Sequence, residues 1–176
     1  MVVFDTSILL LLFHPDAKPP NDPATGMAVE KAAERIKHLV DVLSNAKEKI
    51  VIPTPVLSEL LVHAGEATNH YLEVLNSQAV FRIASFDQKA AIEAAIAMGE
   101  AIGRGGIRVD ATDPNATRGK VKFDRQIVAI AKAEGATAVY SDDGDVVKYA
   151  QQAGLKAYRT IDLDLPPEDP QSSLDL

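Results

Sequence analysis

Short apolar runs alternate along this chain with longer segments in which apolar residues recur every three or four positions. Val2-Val3-Phe4, Ile50-Val51-Ile52, Ala79 to Ile83, Ala136 to Tyr140 and Leu155 to Tyr158 have the length and composition of buried β-strands. Between them, Met27, Ala32, Ile36, Leu39 and Leu43 repeat at helical spacing and place a long amphipathic helix over about residues 25–47. The apolar residues after Asp5 begin a first helix. A further helix follows the second strand, with Thr54 able to cap it, Pro55 suited to its first turn and Gly65 near its end. A short helix is expected around His70 to Leu75. Asp87 to Ile102 is Ala-rich and strongly helical, ended by Gly103, Gly105 and Gly106, and helices are also expected over Phe123 to Glu134 and Val146 to Gln152. The stretches His14 to Asp22 and Arg104 to Gly119 lack periodicity and read as loops, the second long enough to suggest a functional role.

Strands that alternate with helices imply an α/β fold, a three-layer α/β/α sandwich whose central sheet is mainly parallel and covered on both faces. Neither an internal repeat nor a linker divides the chain, so a single domain is expected over residues 1–165. An acidic, Pro-rich tail over 166–176 is expected to be mobile.

Composition narrows the chemistry. The 176 residues, 47% of them hydrophobic, suffice for one real core. With no cysteine there are neither disulfides nor thiolate metal sites. The run Met1 to Leu12 lacks the basic start and small-residue cleavage site of a signal peptide and is interrupted by Asp5, so it reads as a first strand. No uncharged apolar stretch is long enough to span a bilayer, and a cytoplasmic location is expected. A net charge of -7 argues against broad, nonspecific affinity for nucleic acid. Yet six of the 18 basic residues, Arg104, Arg108, Arg118, Lys120, Lys122 and Arg125, fall in one window with only three acids. That window is a candidate for phosphate contact, although a solvated loop with incidental charge has the same composition.

The acids carry the sharper signal. Asp5 closes the first strand, Glu59 stands early in the helix after the second, Asp124 opens the apolar run Ile127 to Ala131, and Asp143 follows the strand that ends at Tyr140. In an open α/β sheet the strand ends and helix starts meet at one edge, where ligands gather. Four carboxylates collected there repel one another unless a hard divalent cation neutralises them, and an all-oxygen donor set favours Mg²⁺ or Mn²⁺ over zinc. Singly, each acid has an ordinary explanation: Asp124 can oppose the positive end of a helix dipole, Asp142, Asp143 or Asp145 can cap the next helix, and Glu59 can be a solvated rim residue. Asp5 is harder to dismiss, because an acid directly after a buried strand is costly without a partner. Thr6 and Ser7 are placed either to orient Asp5 or to cap the first helix, and Ser141 stands in the same relation to Asp143. His14, His38, His63 and His70 share no metal-binding spacing, and the glycines after Ile102 lack the Lys-Ser/Thr ending of a phosphate loop.

Taken in order, Val3-Phe4-Asp5-Thr6-Ser7, Ile52 to Leu60, Asp124 to Ala131 and Val139-Tyr140-Ser141-Asp142-Asp143-Gly144-Asp145 resemble the PIN domain, in particular the VapC-type toxin ribonucleases of prokaryotes. The likeness runs from Val2 to about Tyr158. It implies endonucleolytic cleavage of RNA dependent on Mg²⁺ or Mn²⁺, with Asp5, Glu59, Asp124 and Asp143 matching the family's acidic quartet. Asp5, Asp124, Asp143 and Asp145 are the implied metal ligands, and Thr6 or Ser7 matches the polar residue beside the first Asp. The last motif usually reads Thr-x-Asp-x-Asp-Phe, whereas Ser141 and Val146 stand here in place of Thr and Phe, with Asp142 beside Asp143. The resemblance further implies a homodimer and a cognate antitoxin that occupies the acidic groove. A catalytically silent PIN-like scaffold that binds RNA or protein is the alternative, and its sign would be a missing acid. A phosphatase using Asp5 as nucleophile would need a second Asp where Ser7 stands.

Overall fold

The computed structural model describes residues 1–167 of the chain. Five strands, β1 (Val2–Phe4), β2 (Ile50–Pro53), β3 (Phe81–Ala84), β4 (Ala138–Tyr140) and β5 (Lys156–Tyr158), form one sheet in the order β3-β2-β1-β4-β5. Every strand pair is parallel, with Val2 beside both Ile50 and Ala138. All residues of β1 and β2 are buried, which requires cover on both faces and explains their unbroken apolar sequence. That cover comes from α1 (Thr6–Phe13), α2 (Ala32–Asn45), α3 (Thr54–Ala64), α4 (Thr68–Ser77), α5 (Gln88–Gly103), α6 (Arg118–Ala133) and α7 (Gly144–Gln152). Helix α1 packs on α2 and α3, and α3 on α4; α6 packs between α5 and α7 and also meets α3. The core centres on Phe4, Ile8, Ile36, Ile52, Leu60 and Ile127, each essentially without solvent contact.

This strand order positions the site. From β1 the chain builds outward through β2 and β3, then returns to the other side of β1 for β4 and β5. The direction of winding therefore reverses between β1 and β4, and a crevice opens beyond the carboxyl ends of those two strands. Asp5 directly follows β1, and Ser141 directly follows β4.

Several boundaries differ from the sequence reading, each for a local reason. Helix α2 starts at Ala32 rather than near residue 25, because Lys31 adopts a left-handed conformation and Asp22 folds the preceding segment into a turn, accepting from the Ala24 amide at 2.9 Å. Val29 is buried all the same, so its apolar character reports packing and not helix. Thr54 is already the first residue of α3, and its hydroxyl accepts from the Phe86 amide at 3.3 Å instead of capping the helix. Helix α6 begins five residues before the expected Phe123: Thr117 caps it by accepting from the Lys120 amide at 3.1 Å, and buried Val121 anchors a turn hidden within the basic run. Arg118, Lys120 and Lys122 are thus helical. Ahead of α6, Gly105 and Gly106 take φ values of 134° and 124°, open only to glycine, and turn the chain sharply out of α5. The expected mobile tail falls mainly on residues 168–176, outside the described ones. Among the described residues no helix is long and apolar enough to cross a membrane.

Candidate active site

A cleft of about 620 Å³ opens at the switch point, lined by Asp5, Thr6, Ser7, Glu59, Asp124 and Asp143 together with Lys120 from α6. The four widely spaced acids thus reach one cavity. Asp5 is buried, and its Oδ2 accepts the Ser141 hydroxyl at 2.7 Å and the Ser7 hydroxyl at 3.1 Å. Ser141 Oγ accepts in turn from the Asp143 amide, and Ser7 Oγ from the Asp142 amide, both at 3.0 Å. These two serines lock the loop after β4 to Asp5 and the start of α1. Thr6 turns the other way and donates to Glu59 Oε2 at 2.7 Å, holding the exposed Glu59 at the rim. Neither Thr6 nor Ser7 caps α1.

Opposite Asp5, ligand oxygens of Asp124, Asp143 and Asp145 all lie within 4.8 Å of one another. Opposite ligands of an octahedral ion with metal–oxygen bonds of ~2.1 Å stand ~4.2 Å apart, so small side-chain rotations close this triad onto a divalent cation. The donors are all carboxylate oxygens, which fits Mg²⁺ or Mn²⁺. Asp124 stands in the second turn of α6, not the first as the shorter helix implied, so opposition to the helix dipole does not account for it. Asp143 does cap α7, accepting from the Asp145 amide at 2.8 Å through Oδ1, while its Oδ2 faces the triad. Asp145 is almost wholly buried and is gripped by Thr112, whose hydroxyl donates to Oδ1 at 2.6 Å and whose amide donates to the same atom. Asp142 points elsewhere: its carboxylate accepts from the Thr160 amide at 2.9 Å and hydroxyl at 2.6 Å, fastening the segment after β5. The last motif therefore contributes Asp143 and Asp145, and Asp142 serves the fold.

Inside the triad sits the Lys120 ammonium, 2.7 Å from Asp124 Oδ2, 2.9 Å from Asp143 Oδ2 and 3.6 Å from Asp145 Oδ2. Burial works to lower the lysine's pKa, but hydrogen bonds and charge from Asp124 and Asp143 outweigh it and hold the ammonium well above the usual lysine range. Burial pushes the Asp124 carboxyl up to about 6 despite Lys120, with Asp143 and Asp5 adding repulsion. Asp5 is also raised, chiefly by burial, against the opposing pull of Ser141. Burial pushes Asp145 up as well, yet the two Thr112 hydrogen bonds and the lysine charge prevail and leave it below the ordinary range. Among the described residues, three carboxylates thus meet one ammonium.

The remaining basic residues disperse. Arg104, Arg108, Arg118 and Lys122 are exposed, but Arg104 pairs with Asp110 at 2.5 Å on the far side of α6. Arg125 is buried and turned from the cleft, stacked 4.2 Å over the Tyr149 ring and 3.3 Å from Asp110. As a substrate contact Arg125 finds no support, because a guanidinium enclosed in this way cannot meet a phosphate in solution. Sequence reasoning missed Thr112 and the position of Lys120 within the triad. For Lys120 a signal existed in its spacing, one helical turn before Asp124. For Thr112, 33 residues from Asp145, there was none.

No protein-family model matches the sequence, and no curated protein matches it significantly. Solved structures do match in fold. The VapBC2 structure from Rickettsia felis, bound to a DNA fragment from its promoter, aligns at a TM-score of 0.57 and 18% identity over 90% of this chain and 98% of the matched one. FitAB bound to an IR36 DNA fragment aligns at 0.59 and 18% identity over 93% and 98%, and DNA-bound VapBC from Salmonella typhimurium at 0.54 and 16% over 90% and 97%. At such identities the likeness speaks for architecture alone: the chain has the α/β fold of the PIN-domain VapC and FitB toxins.

Proposed function

We propose that this protein is a Mg²⁺- or Mn²⁺-dependent endoribonuclease that hydrolyses RNA phosphodiester bonds, and that it is the toxin of a type II toxin–antitoxin pair acting in the cytoplasm. The observation that carries this reading is the gathering of Asp5, Glu59, Asp124 and Asp143 in one cleft, beside the group in which Asp124, Asp143 and Asp145 close on a single ammonium. Isolated structural acids are each paired; a surplus of carboxylates in one partly buried cleft is sustained for a cation. When bound, a divalent ion supplies Lewis-acid charge for the phosphate oxygens and acidifies water. Asp124, Asp143 and Asp145 hold it, with Asp5 completing the set while Ser141 and Ser7 fix its orientation. Glu59, exposed at the rim and steadied by Thr6, accepts the proton of the attacking water. Arg108, Arg118 and Lys122, exposed around the start of α6, contact the RNA backbone. The matched VapBC and FitAB structures are two-component assemblies on DNA, which supports a partner protein for this chain, and a second copy of the chain completes the proposed assembly.

Incubating the purified protein with RNA in Mn²⁺ or in EDTA, beside Asp5→Asn, tests the reading. Cleavage that requires Mn²⁺ and disappears in the variant is expected. Cleavage indifferent to both belongs to a contaminant, and no cleavage of any RNA class in Mn²⁺ favours a silent scaffold.

A further inference from the structure

We propose that Lys120 is a built-in counter-ion of the metal site: its ammonium occupies the Asp124, Asp143 and Asp145 triad in the metal-free protein and leaves it when a divalent cation binds. The inference rests on the nuclease reading above and adds a competition within the chain itself. Three facts carry it. The ammonium lies within 3.6 Å of all three carboxylates, inside the same group of oxygens that would enclose an ion. Among the described residues no other basic residue lines the cleft. And the lysine side chain is 39% exposed on α6, so the head has room to move outward without disturbing the core.

An ammonium and a divalent cation cannot share this space. Lys120 donates to the Oδ2 atoms of Asp124 and Asp143, so it must vacate them for those two oxygens to ligate an ion. One positive charge against three carboxylates leaves the pocket under-neutralised, which lets a doubly charged ion win at sufficient concentration. The lysine thereby keeps the triad assembled between occupancies, and once expelled it stands one helical turn from Asp124 at the cleft wall, facing the space an RNA phosphate would fill.

Two measurements on the full-length protein test this. In the first, Lys120 acetylation by an N-hydroxysuccinimide ester is followed by mass spectrometry with and without Mn²⁺, with exposed Lys122 as the internal reference. Lys120 is expected to react several-fold faster in Mn²⁺ while Lys122 stays constant; an unchanged or slower Lys120 overturns the proposal. In the second, calorimetric titration with Mn²⁺ compares the wild type with Lys120→Met and Asp124→Asn. The methionine variant is expected to bind about tenfold more tightly and, without metal, to melt at a lower temperature. Equal or weaker binding by Lys120→Met, with the wild type binding normally, refutes the competition alone. Failure of the wild type and Lys120→Met alike to bind refutes the metal reading of the triad, and the competition falls with it.

Discussion

Asp124 and Arg125 are neighbours in sequence, both charged and both buried, yet they point to different sides of α6 and live in different electrostatic conditions. On the Arg125 side the charges are paired, although Arg125 Nε is buried without a partner among the described residues. Asp110 stands opposite it, the Tyr149 ring lies beneath it, and the Ala97 carbonyl accepts from it at 3.4 Å. Burial pushes Asp110 up, but its arginine partners together with Gln152 prevail and keep its carboxyl below the ordinary range. On the Asp124 side the charge is in surplus, and the carboxyl titrates near 6. A fold that merely needed to bury a helix would treat both faces alike. A surplus of carboxylates on one face is consistent with a ligand site, whereas the paired charge on the other fits a structural clamp.

The largest effect expected from breaking the comparison is on the surplus side. Asp124→Asn should reduce Mn²⁺-dependent cleavage by at least ~10²-fold, since even partners of metal ligands cost 10–100-fold when removed. The same substitution relieves repulsion, so the metal-free variant should melt at or above the wild-type temperature by calorimetry; a large fall would make Asp124 structural. Arg125→Met inverts this pattern. Stranding Asp110 with only Arg104 and removing the stack on Tyr149 should cost about 3 kcal/mol in urea unfolding, with Mn²⁺ affinity unchanged. Loss of metal binding in a still-folded Arg125→Met would mean that the two faces are not independent.

Acid separates the faces next. Because the native Asp124 carboxyl titrates above its unfolded value of 3.8, the folded state holds the extra proton between pH ~4 and ~6, and stability of the metal-free protein from this group falls as pH rises through that window. Asp5 acts in the same sense. Asp110, held low, contributes in the opposite sense: its stabilisation is present above its unfolded value and is lost as pH falls below ~4. Urea midpoints measured against pH should therefore show a shallower first slope in Asp124→Asn, with Asp5 keeping the remainder, and a second slope only slightly reduced in Arg125→Met, because Arg104 and Gln152 still hold Asp110 low, and Mn²⁺ affinity should decline by roughly tenfold per pH unit below ~6 as protons compete for Asp124. A flat affinity across that range would contradict the shifted carboxyl. The smallest effect sharpens the clamp side. The Tyr149 hydroxyl is buried without a partner among the described residues, so Tyr149→Phe should be neutral or stabilising by up to ~1 kcal/mol while keeping the ring under Arg125.

How much of this was readable beforehand follows from which interactions are local. Strands and most helices announced themselves, because burial of β1 and β2 on both faces demands unbroken apolar runs. Asp5 and Asp143 were legible for the same reason, as acids directly after such runs. The start of α6 was not, since Arg118 to Lys122 look like solvated loop until Val121 is seen to be buried. That error also hid the divergence of Asp124 and Arg125: adjacent helical residues point about 100° apart, but only a correct helix start says which of them faces the sheet's crevice. Thr112 lay beyond reach altogether, because its grip on Asp145 depends on how the loop between α5 and α6 closes.

The strand order has a price during synthesis. β1 is the middle strand, and its β4 neighbour is encoded by residues 138–140, so the oily segment from Val2 to Leu12 leaves the ribosome long before one flank of it can be sealed. Contacts that span so much sequence form slowly, and the waiting intermediate is prone to clump. Production of this protein should thus depend on chaperones and gain from cool, slow expression, even though the finished sheet leaves β1 wholly enclosed.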